Sequence, residues 1–244
     1  MRIFTDAGNV EEKLIRITDQ GDIRHMIKVM RLREGDRVDV SDSCQWEYET
    51  EILSIDAEQV LLSILDKQKF AREPQIQVTL FQGVPKAGKM ETIVQKCVEL
   101  GVYSIVPVFM DRTVVVEKGN FSKKLERWQK ISDEAVKQCK RGMIPEIGQQ
   151  IRFSMLQEQF SSFDLVLFPY ENESNRTMKD CLRNLTEKPE SIAVVIGPEG
   201  GFSDKEAAFM DQWGAVRVSL GKTILRTETA GMAALSMIMY ELEL

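Results

Sequence analysis

The residues best placed to do chemistry stand in two loops late in the chain. The first lies in "VVIGPEGGFSDKE", Val194 to Glu206, where a short apolar run stops at Gly197 and is followed by Pro198, Glu199, Gly200 and Gly201. Ser203 and Glu206 then have the spacing of a capping box, so this glycine loop feeds the N-terminus of a helix. The second is "LGKTILRTETAG", Leu220 to Gly231, in which Arg226 and Glu228 stand beside the apolar Ile224 and Leu225. Neither loop is a known phosphate cradle. A Walker A loop needs GxxxxGK[ST], and the position that should carry its first glycine ahead of "GKT" at 221 to 223 is Val216. A dinucleotide fingerprint needs GxGxxG in the first βα turn, whereas glycines 197, 200 and 201 have another spacing and follow a late strand.

Other chemistries are poorly supplied. The single histidine, His25, disfavours Ser-His-Asp and Cys-His catalysis, which need an imidazole between a nucleophile and an orienting carboxylate. Cysteines 44, 97, 139 and 181 are far apart with no CxxC pair, which argues against zinc and for small buried thiols in a reducing compartment.

The elements that must position the two loops can be read from periodicity. Up to about residue 70, apolar residues alternate in short runs such as "DRVDVSD", "EYETEILSI" and "EQVLLSIL", the pattern of a small β-rich module. The polar, proline-containing "DKQKFAREPQ", 66 to 75, reads as a linker. Beyond it, "IQVTLFQGV", "SIVPVF", "FDLVLFP", "SIAVVIG" and "AVRVSLG" are continuous apolar runs of the kind buried on both faces of a parallel sheet. Helical stretches separate them: Lys89 to Leu100, Ser122 to Arg141, roughly Ser174 to Leu185, and Ser203 to Trp213. The last stretch, "TAGMAALSMIMYEL", is apolar around most of its circumference and must be buried in the core or against a second subunit, which favours a homodimer. This is an α/β chain. In a parallel sheet, ligands sit at the carboxyl ends of the strands, so two glycine-containing loops there converge on one small molecule. Either loop alone would be read as a tight turn.

Composition sets the outer bounds. The chain has 244 residues, 43% apolar and 29% charged, with a formal net charge of −6. That balance argues against coating nucleic acid by bulk charge, while leaving room for a local basic patch. No run approaches the roughly 18 apolar residues of a membrane helix, and the N-terminus lacks an apolar targeting segment, so a cytoplasmic protein without a membrane partner is expected.

With these residues in view, the sequence resembles the bacterial 16S ribosomal RNA uridine-N3 methyltransferases, S-adenosylmethionine-dependent enzymes of the SPOUT superfamily. The resemblance runs through "MRIF", "HMIKVMRLREGD" at 25 to 36, "KAGKMETIVQKCVELGV" at 86 to 102, "WQKISDEAVKQCKRGMIPEI" at 128 to 147, "VVIGPEGGFSDKE" and "LGKTILRTETA" at 220 to 230. It implies a PUA-like β-barrel over residues 1–71 that positions RNA. It further implies a SPOUT methyltransferase domain over 72–244, with a parallel sheet flanked by helices, a deep trefoil knot, a dimer interface and no metal.

By position, the resemblance places S-adenosyl-L-methionine against Pro169, Glu171, Ile196, Gly197, Pro198, Glu199, Gly200, Gly201, Leu220, Gly221, Ile224, Leu225, Arg226 and Thr229. Glycines there admit the backbone close to the adenine and ribose, and the apolar residues seat the ring. The implied RNA contacts are Arg2, Arg24, His25, Arg31 and Arg33, with Arg112 reaching the RNA or the partner subunit. Lys123, Arg127, Lys130, Lys137 and Arg141 recur on one helix face, either as solvated surface or as further phosphate contacts. For transfer to N3, Arg226 would stabilise charge on the uracil, and Glu199 or Glu228 would accept the proton if burial raised its pKa. A structural hydrogen bond to loop amides is the alternative for both glutamates. The implied partner is 16S rRNA within the small ribosomal subunit. Alternatives are another RNA, such as a tRNA, and a non-catalytic ribosome-assembly factor.

Overall fold

The computed structural model describes residues 2–70, 72–86, 88–115 and 121–243. Ala71 of the expected linker and Ala87 of the 86–102 motif therefore lie outside the described residues. The chain forms two compact units, Met1–Glu73 with Val136–Ile144, and Pro74–Ala135 with Pro145–Leu244.

In the first unit, strands β1 (Arg2–Phe4), β2 (Leu14–Ile17), β3 (Arg37–Ser41), β4 (Trp46–Ile55) and β5 (Val60–Lys69) form one sheet in the order β1-β3-β4-β5-β2. The alternation read from "DRVDVSD" is real: Val38 and Val40 are buried while Arg37 and Asp39 face out. Two register shifts in the β4–β5 pairing, at Glu49/Thr50 and Ile52/Ser54, are bulges that curl the sheet into a half-barrel. Its hollow is filled by Ile3, Ile15, Ile17, Val38, Val40, Ile52, Val60 and Leu62, and by Ile23 and Met26 from a helical segment. That segment, α1 (Gln20–Arg24) capped by Asp19 and continued by a π-helical turn over His25–Val29, was not anticipated from the sequence.

The segment 136–144 is held to this unit by Glu73. Its carboxylate accepts from Arg141 Nε and Nη2 at 3.0 and 2.7 Å, and from the amides of Gly142 and Met143 at 2.7 and 3.1 Å. Arg141 is thereby buried, and α3 (Phe121–Cys139) stops before it. The expected basic stripe thus loses its last member to a structural ion pair. Lys123, Arg127 and Lys130 remain exposed on α3.

The second unit contains an all-parallel sheet in the order β12-β10-β11-β6-β7-β8, with β9 also pairing with β7. Its strands are β6 (Gln77–Gly83), β7 (Ser104–Phe109), β8 (Glu146–Ile147), β9 (Ile151–Arg152), β10 (Leu165–Pro169), β11 (Ser191–Ile196) and β12 (Val216–Val218). The long apolar runs are the central strands, as burial on both faces requires: Ile192 to Ile196 of β11 are all buried. The helices are α2 (Lys89–Glu99), α3 up to its penultimate turn, α4 (Leu156–Phe160), α5 (Met178–Arg183), α6 (Asp204–Gln212) and α7 (Thr227–Leu242). The capping box is present at α6: Ser203 Oγ accepts from the Glu206 amide, and Glu206 Oε2 accepts from the Ser203 amide. The other Glu206 oxygen accepts from the amide of Asp111, so one buried carboxylate ties two loops together.

Cysteines depart from expectation. Cys97 alone is fully buried, its thiol pushed up to about 12 by burial, whereas Cys44 is exposed in a turn whose amides donate to Asp42. No helix among the described residues is long and apolar enough to cross a membrane.

Candidate functional site

The carboxyl ends of β10, β11 and β12 lie on one edge of the sheet, and the loops that leave them enclose a cavity of about 360 Å³. That is the size of a small-molecule site. It is lined by Pro169 to Glu171, by Ile196 to Glu199 with Gly201 and Phe202, by Ser219 to Thr227, and by Lys89 and Ala230. The two late loops therefore converge, as their placement after neighbouring parallel strands requires.

Close backbone approach explains the glycines. Gly201 has φ 66°, a conformation that favours glycine, and a Cβ there would lie 2.8 Å from Glu171 Oε2, so a side chain would strain the loop and push that carboxylate aside. Gly83, at the end of β6, was not singled out from the sequence, yet a Cβ on it would lie 2.5 Å from the Pro198 nitrogen. The loop rests directly on that strand end.

The first loop is fastened to the start of α7. Thr227 Oγ1 donates to the Gly197 carbonyl at 2.6 Å and accepts from Gln82 Nε2 at 2.9 Å, all three being buried. Arg226 occupies the N-cap position of α7 with extended backbone and makes no capping bond, which leaves its side chain exposed at the cavity wall.

Lys89, the first residue of α2, reaches the same wall. Its Nζ lies 3.0 Å from Glu199 Oε1 and 3.3 Å from Glu228 Oε2. Glu199 Oε1 also accepts from the Lys86 amide at 3.0 Å. Burial pushes the Glu199 carboxyl up, but the amide donors and the Lys89 ammonium outweigh it and hold the group below the usual carboxylate range. The expectation that burial would raise Glu199 into a base is thus corrected. Lys89 is held above its ordinary value, chiefly by the hydrogen bond to Glu199. Glu228 does not line the cavity, and its Oε2 is buried with only this poorly aligned ion contact.

Of the residues expected to hold a cofactor, Pro169, Glu171, Ile196, Gly197, Pro198, Glu199, Gly201, Leu220, Gly221, Ile224, Leu225 and Arg226 line the cavity. Gly200 and Thr229 do not. Gly200 turns toward Arg112, whose Nη1 donates to the Gly200 carbonyl at 2.7 Å, so Arg112 is engaged by the loop itself. Thr229 is exposed on α7. Lys89, Tyr170, Phe202 and Thr227 were not foreseen. Lys89 and Thr227 sit at helix starts inside "GKMET" and "RTETAG", but nothing local tells which distant loop they meet.

In the first unit, Arg24, His25 and Lys28 are exposed along α1 and the π-helical turn, and Arg31 and Arg33 are exposed in the segment that follows it. Arg31 has φ 56°, a costly conformation for a side chain of this type. Arg2 is not part of this strip. It is paired with Glu47 at 2.7 Å and donates to the Lys140 carbonyl at 2.9 Å, a buried structural role that corrects its assignment to RNA.

The residues fit S-adenosylmethionine as chemistry. Ile196, Leu220, Ile224 and Leu225 offer an apolar seat, the glycine loop offers backbone groups, and Glu171 offers an acceptor at the rim. Comparison with known proteins agrees. Residues 71–239 match the model of an RNA methyltransferase domain, and residues 17–65 that of an RNA methyltransferase PUA domain. A relative from Bacillus subtilis, ribosomal RNA small subunit methyltransferase E, is 33% identical over 91% of this chain and 89% of its own. The crystal structure of a ribosomal RNA small subunit methyltransferase E from Neisseria gonorrhoeae bound to S-adenosyl methionine superposes with a TM-score of 0.85 at 26% identity, covering 98% of this chain and 96% of that one. A Legionella pneumophila protein described as a methyltransferase, solved with its bound cofactor, superposes with a TM-score of 0.82 at 30% identity over 98% and 96% of the two chains. The chain belongs to the ribosomal RNA small subunit methyltransferase E family.

Proposed function

We propose that this chain methylates N3 of a uridine in 16S ribosomal RNA of the small subunit, with S-adenosylmethionine held in the cavity at the ends of β10, β11 and β12. The observation that carries the reading is that the two glycine-containing loops and the β10 loop close on one cavity with Arg226 on its wall. When bound, S-adenosylmethionine supplies an electrophilic methyl group whose carbon–sulfur bond breaks with its electron pair left on sulfur.

Uridine N3 carries a proton at neutral pH, so the site must favour the uracil anion. Glu199, already accepting two donors and held acidic, is a weak proton acceptor. The wall is better suited to stabilising charge on the ring, with Arg226 as the donor on it. The exposed strip of Arg24, His25, Lys28, Arg31 and Arg33 serves the RNA backbone.

We infer also that the second unit carries the trefoil knot of its superfamily and that α7 forms a homodimer. Thr229, Ser236, Met237 and Tyr240 are exposed on the face of α7 opposite its buried Gly231, Ala234 and Ile238.

The direct test is methyl transfer from labelled S-adenosylmethionine to purified small subunits and to free 16S rRNA, with nucleoside mass spectrometry of the product. N3-methyluridine in 16S rRNA is expected, and label appearing only in tRNA, or in no RNA, would refute the reading. Arg226→Ala should retain cofactor binding by calorimetry and lose roughly 10²–10³ in kcat.

A further inference from the structure

Lys89 is the one residue of the cavity wall contributed by α2, and its geometry goes beyond that of a surface ion pair. Its ammonium is pinned between carboxylates from two other segments, Glu199 in the loop after β11 and Glu228 in the first turn of α7. A lysine side chain has four rotatable bonds and strongly favours hydration, so a free lysine gives up much freedom to act as a donor. Here two acceptors fix the nitrogen in advance. An ammonium has three N–H donors, and its ion contacts to Glu199 at 3.0 Å and Glu228 at 3.3 Å orient it without using all three, which leaves donor capacity for the cavity. The same two carboxylates keep the group protonated, so it acts as a donor and not as a base. The charged groups that share the cavity wall with it are Glu171, Glu199, Lys222 and Arg226, and Glu228 lies beside it off the wall.

We propose that Lys89 is a catalytic residue of the methyl transfer, donating a hydrogen bond from its ammonium to a carbonyl oxygen beside N3 of the target uracil while N3 loses its proton to solvent water and forms its bond to the methyl carbon, the carbon–sulfur electron pair staying on sulfur. The proposal rests on the function given above. It assigns Glu199 and Glu228 a shared task, which is to hold this cation.

The test compares the unaltered 244-residue chain with Lys89→Met and Lys89→Arg on small subunits carrying either natural uridine or 5-fluorouridine, whose N3–H is more acidic and whose anion needs less help. Lys89→Met should lose roughly 10²–10³ in kcat on natural subunits, the usual cost of one such donor. Its affinity for S-adenosylmethionine, measured by calorimetry, should stay within about threefold. On 5-fluorouridine subunits the deficit should shrink by about tenfold or more, because the donor matters less when the anion is already stable. An equal deficit on both substrates, a kcat within about threefold of wild type, or a loss of cofactor affinity that explains the whole defect would each overturn the assignment. Should Lys89→Met fail to fold, Lys89→Arg carries the comparison: its kcat must gain more from 5-fluorouridine than wild type does, and an equal gain overturns the proposal. Wild-type protein inactive on both kinds of subunit would sink the function and this inference together, and so is distinct from failure of the inference alone.

Discussion

The Thr227 hydroxyl donates to the Gly197 carbonyl at 2.6 Å, joining the first turn of α7 to the loop after β11. Through Gln82, which donates to the same hydroxyl, the bond extends to the end of β6. Two segments of the cavity wall and the strand end beneath them are thus held by one buried polar chain. Thr227→Val keeps the shape and removes the hydroxyl, leaving the Gly197 carbonyl and the Gln82 amide without it. We expect a stability loss of about 1–3 kcal/mol, the cost of buried groups left unpaired. Thr227→Ser should recover most of it. Chemical denaturation measures the first effect, and calorimetry should show weaker cofactor binding in Thr227→Val at temperatures where it is still folded.

Gly201→Ala is a sharper probe of the cavity than a change at Gly200. At φ 66°, and with Glu171 Oε2 2.8 Å from the new Cβ, even alanine must displace the loop or the carboxylate. We expect S-adenosylmethionine affinity to fall by tenfold or more, about 1.4 kcal/mol, with far-UV circular dichroism unchanged. Unaltered affinity would mean that the loop does not shape the cofactor site. A valine at Gly200 pushes on Arg112 instead, and should act on cofactor binding only indirectly.

The basic strip makes a salt-dependent forecast. Arg24→Ala and Arg31→Ala should each weaken RNA binding and reduce the slope of log affinity against log salt by about 1, as expected when one phosphate contact is lost. Arg2→Ala should leave that slope alone and lower stability, because it strands the buried Glu47. A filter-binding titration across salt concentrations and a thermal melt separate the two behaviours.

Asp164 links pH to stability in the second unit. Its Oδ2 accepts from the amides of Glu190 and Ser191 and from Ser191 Oγ, each at 2.9 Å. The Ser191 amide first, then its hydroxyl and the Glu190 amide, hold the Asp164 carboxyl below its ordinary value. A carboxyl depressed in the folded state contributes stability above its unfolded pKa and loses it as pH falls through the folded one. Asp164→Ala should therefore melt below wild type at neutral pH, and the gap should close as the pH drops beneath the normal aspartate range. Parallel melts along a pH series test this, and a constant gap would contradict it.

Much of the fold was legible because burial imposes period. The alternation around Val38 and Val40 marked a one-sided sheet, and the unbroken run at 192–196 marked a strand covered on both faces. The π-helical turn at His25–Val29 was not legible, since the exposed Ile27 and Val29 beside the buried Met26 blur any helical period. The return of residues 136–144 to the first unit was hidden too, because it depends on Glu73 meeting Arg141 across 68 positions.

The same division runs through the site. Glycine spacing after two apolar strands was enough by itself to point to a ligand edge and to exclude the known phosphate loops, and the capping box at Ser203 and Glu206 to mark a helix start, because all follow from local sequence. Which groups meet inside the cavity was decided only by tertiary structure. Lys86 and Lys89 reach Glu199 across more than a hundred residues, Gln82 reaches Thr227, and Gly83 receives Pro198. No local period or propensity encodes such pairings. They arise when parallel strands bring the ends of distant segments to one edge, and there the charge state of Glu199 is set by its neighbours in space.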